Sequence, residues 1–300
     1  MVAEWTLPPV LLLALLSGAG LLHLFHRRLR VSLAAPREPV KRSLAEHGVT
    51  GEAVAIPTRR ERTLRGWWLP AEGCGTVVIT HGWGANRERM LPLARPLQAA
   101  GFNVLLFDAR NHGDSDSDTF SSMPRFAEDT EAAVAWLRRR PDMAQTPVAL
   151  LGHSVGAAAV LLAASRRDDI AAVISLSAFV HPDGMMRRWL AEKGLPFFPL
   201  GWYVLRYVER VIGYRFDAIA PENTLPKIRC PVLLAHGRDD SVIPPSDAER
   251  LHACRGDASV ELHLLPGDHD LSQHINDEMP QLLAFLRAAM NPSTAERQPA

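Results

Sequence analysis

Cysteine is scarce in this chain. Its 300 residues hold three, Cys74, Cys230 and Cys254, odd in number, widely spaced and without a C-x-x-C pair. That pattern excludes a disulfide framework and a zinc knuckle, and it suits a reducing compartment. An excess of charge is missing too, because 33 Lys and Arg face 33 Asp and Glu. With no basic surplus to neutralise a phosphate backbone, nucleic acid is not an expected partner. There is no internal repeat, no low-complexity block, no H-E-x-x-H spacing and no dinucleotide fingerprint. Neither a metal nor an organic cofactor is therefore expected.

Apolar residues are plentiful, at 47%, enough for one large core. The most informative stretch runs from Pro147 to Ser165. Val148 to Leu151 is an apolar run of strand length, and an Ala-, Val- and Leu-rich run of helix length follows. Between them stands Gly152-His153-Ser154-Val155-Gly156, a G-x-S-x-G pattern in a strand-turn-helix context. A strand that reverses sharply into a helix forces the residue at its tip into a strained conformation. Its neighbours must then be nearly free of side chains. The Ser154 hydroxyl stands above the sheet edge with the free N–H groups of a helix start behind it. Ser154 is the expected nucleophile.

Strand and helix signals alternate along most of the chain. Strands are expected at 53–56, 63–69, 76–80, 103–107, 148–151, 170–176, 232–235 and 260–265. Helices are expected at 88–100, 126–140, 247–253 and 280–290, besides the one after Ser154. The first two strands read as an antiparallel start. The remainder reads as a mainly parallel sheet covered by helices, with active groups beyond the strand C-termini. Residues 179–226 break the alternation with aromatic-rich helical patterns and read as a helical lid walling the site. An apolar or bulky acyl group is the expected guest. The tail 291–300 is polar and reads as disordered.

Leu7 to Phe25 is leucine-rich and almost uncharged, and nineteen helical residues span about 28 Å, near the thickness of a bilayer core. No Lys or Arg precedes this run, whereas Arg27, Arg28, Arg30, Arg37, Lys41 and Arg42 follow it. That distribution favours a retained membrane anchor over a cleaved signal peptide. It places the N-terminus outside and the following domain on the cytoplasmic side. The expected organisation is an anchor over 1–30, a linker over 31–51 and one catalytic domain over 52–290.

A serine hydroxyl needs a base, and the base needs an orienting acid. After a G-x-S-x-G turn the usual order is Ser, acid, His. Asp239 and Asp240 follow the 232–235 strand, and His269 follows the 260–265 strand, so all fall on one sheet edge. Spacing alone does not choose between the two aspartates. His263 is mid-strand and His274 lies beyond the loop, which makes both poorer bases. An oxyanion needs two N–H donors. Val155 supplies one, and Trp83, in the Gly-rich loop His81-Gly-Trp-Gly-Ala-Asn86, is expected to supply the other.

His81 to Arg87, Asp108-Ala-Arg-Asn-His-Gly-Asp-Ser115, Gly152 to Gly156, His236 to Pro244 and Gly267-Asp-His269 together resemble the ordered motif set of the α/β-hydrolase superfamily. They are most similar to its bacterial BAAT- and S33-like serine hydrolases, over about residues 52–290. The resemblance implies an α/β-hydrolase fold and selects Asp240 as the acid. It implies that the Asp108–Ser115 turn is a structural rim. The activity it implies is cleavage of a carboxylic ester or related acyl bond through Ser154, His269 and Asp240. An aminopeptidase, thioesterase or acyltransferase would use the same groups, and a non-catalytic binding protein of the same fold is the remaining class.

Overall fold

The computed structural model describes residues 9–73, 75–270 and 275–290, in two units covering residues 1–35 and 36–300. The first unit is one helix, α1, Pro9–Ser32. Val10, Leu13, Leu16, Leu21, Leu22 and Leu24 are exposed along it. Among the described residues no helix is long and apolar enough to cross a membrane, which corrects the expected spanning anchor. Ser17, Gly18, Gly20 and His23 interrupt the leucines, and Arg27, Arg28 and Arg30 occupy the last turns. Leu7 and Pro8, the start of the expected span, lie outside the described residues, as does the 291–300 tail.

The second unit is built on an eight-stranded sheet. Its strands are β1 Glu52–Thr58, β2 Arg62–Leu69, β3 Thr76–Thr80, β4 Asn103–Phe107, β5 Val148–His153, β6 Ala172–Leu176, β7 Val232–Gly237 and β8 Val260–Leu265. They lie in the order β1-β2-β4-β3-β5-β6-β7-β8. β2 runs antiparallel to both β1 and β4, and every other pairing is parallel. Every residue of β3, β4 and β6 is buried. Covered on both faces, these strands read as continuous apolar runs rather than alternating ones. The register aligns Thr80 with Phe107 and Gly152, Gly152 with Ser175, and Leu176 with Ala235. The loops after β3, β5, β6 and β7 consequently leave the sheet at one level.

The helices of this unit are α2 Leu91–Ala99, α3 Met123–Arg138, α4 Val155–Ala164, α5 Pro182–Glu192, α6 Trp202–Ile212, α7 Phe216–Ile219, α8 Pro221–Thr224, α9 Pro245–Ala253 and α10 Ile275–Met290. In α4 every residue from Gly156 to Ala164 is buried. A helix hidden all round has no polar face, which explains its uninterrupted Ala, Val and Leu. The helix expected at 88–100 opens as a 3-10 turn, Arg87–Met90, and becomes α-helical at Leu91. Asn86 caps that turn, its side chain accepting the Glu88 and Arg89 N–H groups at 3.0 and 3.4 Å. The last helix begins five residues before Pro280, which stands inside it rather than in the first turn that proline prefers.

The stretch 36–51, read from the sequence as part of a linker, packs onto the α2 region. Asn86 donates to the carbonyls of Glu38 and Pro39, Arg95 to that of His47, and Gln98 to that of Thr50. Leu44 is buried in the core shared with Trp67, Leu93 and Leu97. The segment between β6 and β7 is helical, as expected of 179–226, and is tied down at its base, where the Val180 N–H donates to Asp247 and the Glu222 N–H to the Val180 carbonyl.

Candidate active site

The turn after β5 is as tight as its glycines require. Ser154 has φ 56° and ψ −119°, a region that costs a non-glycine residue about 1–3 kcal/mol. Backbone contacts hold it there. A Cβ on Gly152 would lie 2.2 Å from the Gly156 carbonyl oxygen, and one on Gly156 would lie 2.3 Å from that of Thr80. The Ser154 N–H donates to the Leu176 carbonyl at 2.8 Å, tying the turn to β6.

The residues expected as acid and base come from the loops after β7 and β8. A Cβ on Gly237 would lie 2.3 Å from the Asp268 carbonyl oxygen, so the loops after β7 and β8 touch backbone to backbone. His269 Nδ1 lies 2.7 Å from Asp240 Oδ2. Asp240 Oδ1 accepts the N–H groups of Val242 and Ile243 at 2.9 and 2.8 Å. His236 Nε2, 2.8 Å from the Ile243 carbonyl, is also 3.2 Å from Asp240 Oδ2. Burial would raise the Asp240 pKa, but hydrogen bonds from His236, His269 and Ile243 outweigh it and hold the carboxyl well below the usual range. Asp239 is exposed, and its N–H is spent on the Gly267 carbonyl. Of the two adjacent acids, Asp240 is the one that meets His269. Nδ1 donates to a carboxylate, which leaves Nε2 as the accepting nitrogen of the ring. No hydrogen bond joins His269 to Ser154 Oγ, a contact that often closes only when substrate arrives. His263 is on β8 beside Glu261, and His274 lies outside the described residues.

The loop after β3 closes the third side. A Cβ on Gly82 would lie 3.3 Å from Ser154 Cβ. His81 is fully buried, with Nδ1 2.7 Å from the Gly82 carbonyl and Nε2 accepting the Ala109 N–H at 3.0 Å. In a trans peptide the C=O and the following N–H point opposite ways. Fixing the Gly82 carbonyl on His81 therefore turns the Trp83 N–H away from that ring. Among the described residues, neither the Trp83 nor the Val155 N–H is taken by a backbone carbonyl. The Trp83 ring stacks on Phe126, centroids 6.2 Å apart, and meets His112 edge-on. Arg87, at the end of the loop, forms a buried ion pair with Asp108 and lies over the Trp67 ring. Asp108 and His112 thus brace the loop from behind, in keeping with the rim expected of their turn.

Two features were not read from the sequence. His153, the first free position of G-x-S-x-G, has its Nε2 2.8 Å from the His269 carbonyl, which fastens the serine turn to the base loop. Its ring centroid is 5.0 Å from that of His269. Its place beside the nucleophile was the available signal. The other is a cleft of about 990 Å³ reaching the site at Trp83, His153, Leu176 and Asp270 and running along Met90 to Pro96 to the 38–47 segment. No residue of 179–226 lines this cleft among the described residues, and the 38–47 segment gives it a mixed wall. The apolar spacing of Val40, Leu44 and Val49, which pack on the core, is the signal that could have marked the segment as structured. Cys230 and Cys254 are free thiols, and Cys74 lies outside the described residues. Among those residues, no three His, Cys, Asp or Glu side chains gather as a metal site would require.

A sheet of this order, with a G-x-S-x-G turn after β5, an acid after β7 and a histidine after β8, has the α/β-hydrolase fold, and the similarities that follow support an α/β-hydrolase superfamily hydrolase. Residues 71–210 match the family described as serine aminopeptidase, S33. The protein YfhR of Escherichia coli strain K12 is 26% identical over 255 residues, covering 81% of this chain and 83% of that protein. The Pyrococcus furiosus esterase Pf2001 shares the fold with a TM-score of 0.71 at 22% identity, over 86% of this chain and 98% of the esterase. Est1E from Butyrivibrio proteoclasticus, solved with ferulic acid bound, gives 0.64 at 23% identity, over 79% and 99%.

Burial lowers the His81 and His112 pKa values from 6.5 to about 4 each. The fold keeps both rings neutral, while the unfolded chain takes up protons below about pH 6.5. Their contribution is complete above that pH and is lost as pH falls toward 4, by at most about 3 kcal/mol per ring. Asp129, raised by burial to about 6, acts in the opposite sense, so the expected net loss is about that of one imidazole. Urea unfolding followed from pH 7 to pH 4 should show this fall, and a level profile across that window would contradict it.

Proposed function

We propose that the protein is a serine hydrolase that cleaves a carboxylic ester or related acyl bond through an acyl-enzyme. The observation that carries this reading is the 2.7 Å His269–Asp240 contact, held by touching loops on the edge where the strained Ser154 turn stands. In the proposed reaction His269 Nε2 takes the Ser154 proton as Oγ attacks the acyl carbon. The N–H groups of Trp83 and Val155 hold the oxyanion, and His269 returns the proton to the departing alcohol. Water then attacks the acyl-serine with His269 again as base, releasing the acid and restoring the Ser154 hydroxyl. Asp240 keeps the ring oriented and stabilises the imidazolium. The esterase neighbours support an ester as the bond cleaved. The S33 match favours one second reading, cleavage of an aminoacyl amide by the same groups.

Nitrophenyl esters and aminoacyl nitroanilides, supplied in parallel, separate the two readings. Ser154→Ala should abolish turnover, and Asp240→Asn should lower kcat by about 10³- to 10⁴-fold. Asp239→Asn should stay within a few-fold of the native protein. Equal losses at 239 and 240, or activity surviving in Ser154→Ala, would overturn the assignment. Turnover of nitroanilides alone would move it to the second reading.

We further propose that α1 holds the protein on a membrane, with the catalytic unit on the cytoplasmic side. The support is a helix on which Leu13, Leu16, Leu21, Leu22 and Leu24 are exposed and whose last turns carry Arg27, Arg28 and Arg30, which suits an acidic lipid surface. The native protein should sediment with membranes in cell fractionation. A carbonate wash should then release it, as a helix lying on the surface requires. Recovery wholly in the soluble fraction would contradict attachment.

A further inference from the structure

The far end of the cleft carries charge that the chemistry at Ser154 does not use. Its walls there bear Lys41, Arg42, Arg89 and Arg95 against the carboxylates Glu38 and Glu88. Both acids are already engaged. Glu38 takes Arg89 through both oxygens, at 3.2 and 3.3 Å. Glu88 is turned inward, accepting the Lys41 N–H at 2.7 Å and facing His47 Nε2 at 2.8 Å. Only a 3.6 Å contact links it to Arg42. Arg95 spends one donor on the His47 carbonyl, and among the described residues no carboxylate lies within ion-pair distance of it. A guanidinium has five N–H donors, so most of those on Arg42 and Arg95 stay open to the cleft. Glu38 also lies 3.9 Å from Lys41 Nζ, so four cations share two carboxylates, an excess of two positive charges among these six side chains. The third acid, Asp270, is at the other end beside His269.

The same cleft is lined by the apolar Met90, Leu91, Leu93 and Leu176, all buried, and by Trp83 and by His153, which adjoins Ser154. Lined by both apolar and cationic side chains, the cleft has the polarity of a tailed anion rather than of a simple fatty chain. We propose that the substrate is an acyl compound bearing an anionic group, a carboxylate or a phosphate, that an apolar spacer separates from the scissile carbonyl. The anion faces Arg42, Arg95 and Lys41 while the spacer crosses Met90 and Leu176. This assignment rests on the serine-hydrolase reading and narrows it. It disfavours a substrate whose free end is an ammonium, because that end would meet the cationic wall.

The test compares two alkyl fluorophosphonates of equal chain length, one ending in a methyl group and one in a carboxylate, by their rates of labelling the full-length protein. The carboxylate-ended probe should react about three- to tenfold faster at low salt, as two partly exposed charge contacts allow. High salt should shrink the ratio. In the double variant Arg42→Gln/Arg95→Gln, with circular dichroism matching native, the ratio should fall toward one. A native ratio of one or below, or a preference that survives in the double variant, overturns the anionic-substrate proposal and leaves the hydrolase reading standing. Failure of that underlying reading looks different, because neither probe would then label the native protein.

Discussion

The site depends on how closely backbones approach at the end of β5. Gly152 and Gly156 each stand where a single added carbon would fall about 2.2–2.3 Å from a carbonyl oxygen, well inside any tolerable contact. That packing wedges α4 against β3 and β5 and leaves Ser154 no relaxed conformation, so the residue sits at φ 56°. Strain of this kind persists only where the surroundings over-determine it. Here they comprise a buried helix, the fully buried β3, the largely buried β5 and the hydrogen bond to Leu176. The hydroxyl, the free N–H of Val155 and the proximity of Gly82 all follow from that one wedge.

The other groups reach Ser154 by the same device. Gly237 lets the β7 and β8 loops touch, which brings Asp240 and His269 within one hydrogen bond. His81, kept neutral by burial, holds the Gly82 carbonyl and so aims the next N–H. His153 reaches from the serine turn to the base loop. Each connection is a short-range contact between neighbouring strand ends, made possible because the parallel register delivers those ends at one level.

Much of this was legible because it is local. The alternation of strand and helix, the strained serine and the placement of His269 all rest on short motifs whose geometry follows from residue type. Asp239 and Asp240 could not be separated by spacing, since their difference lies in which way the loop turns after Gly237. The resemblance chose Asp240, and the hydrogen bonds of Val242 and Ile243 give the reason. The packing of 36–51 was not legible for a different reason. Pro36 and Pro39 mark an irregular segment, yet an irregular segment with Leu44 in the core is still part of the domain. Aromatic density in 179–226 says that the segment packs, and not on what. In the N-terminal run the leucines suggest a span, whereas Ser17, Gly18, Gly20 and His23 lower the apolarity of the helix they fall in.

The most direct test of the account is to treat the native protein with a fluorophosphonate and map the adduct by peptide mass spectrometry. One phosphonylated residue is expected, Ser154. An adduct on another serine, or an intact folded protein that takes none, would contradict it.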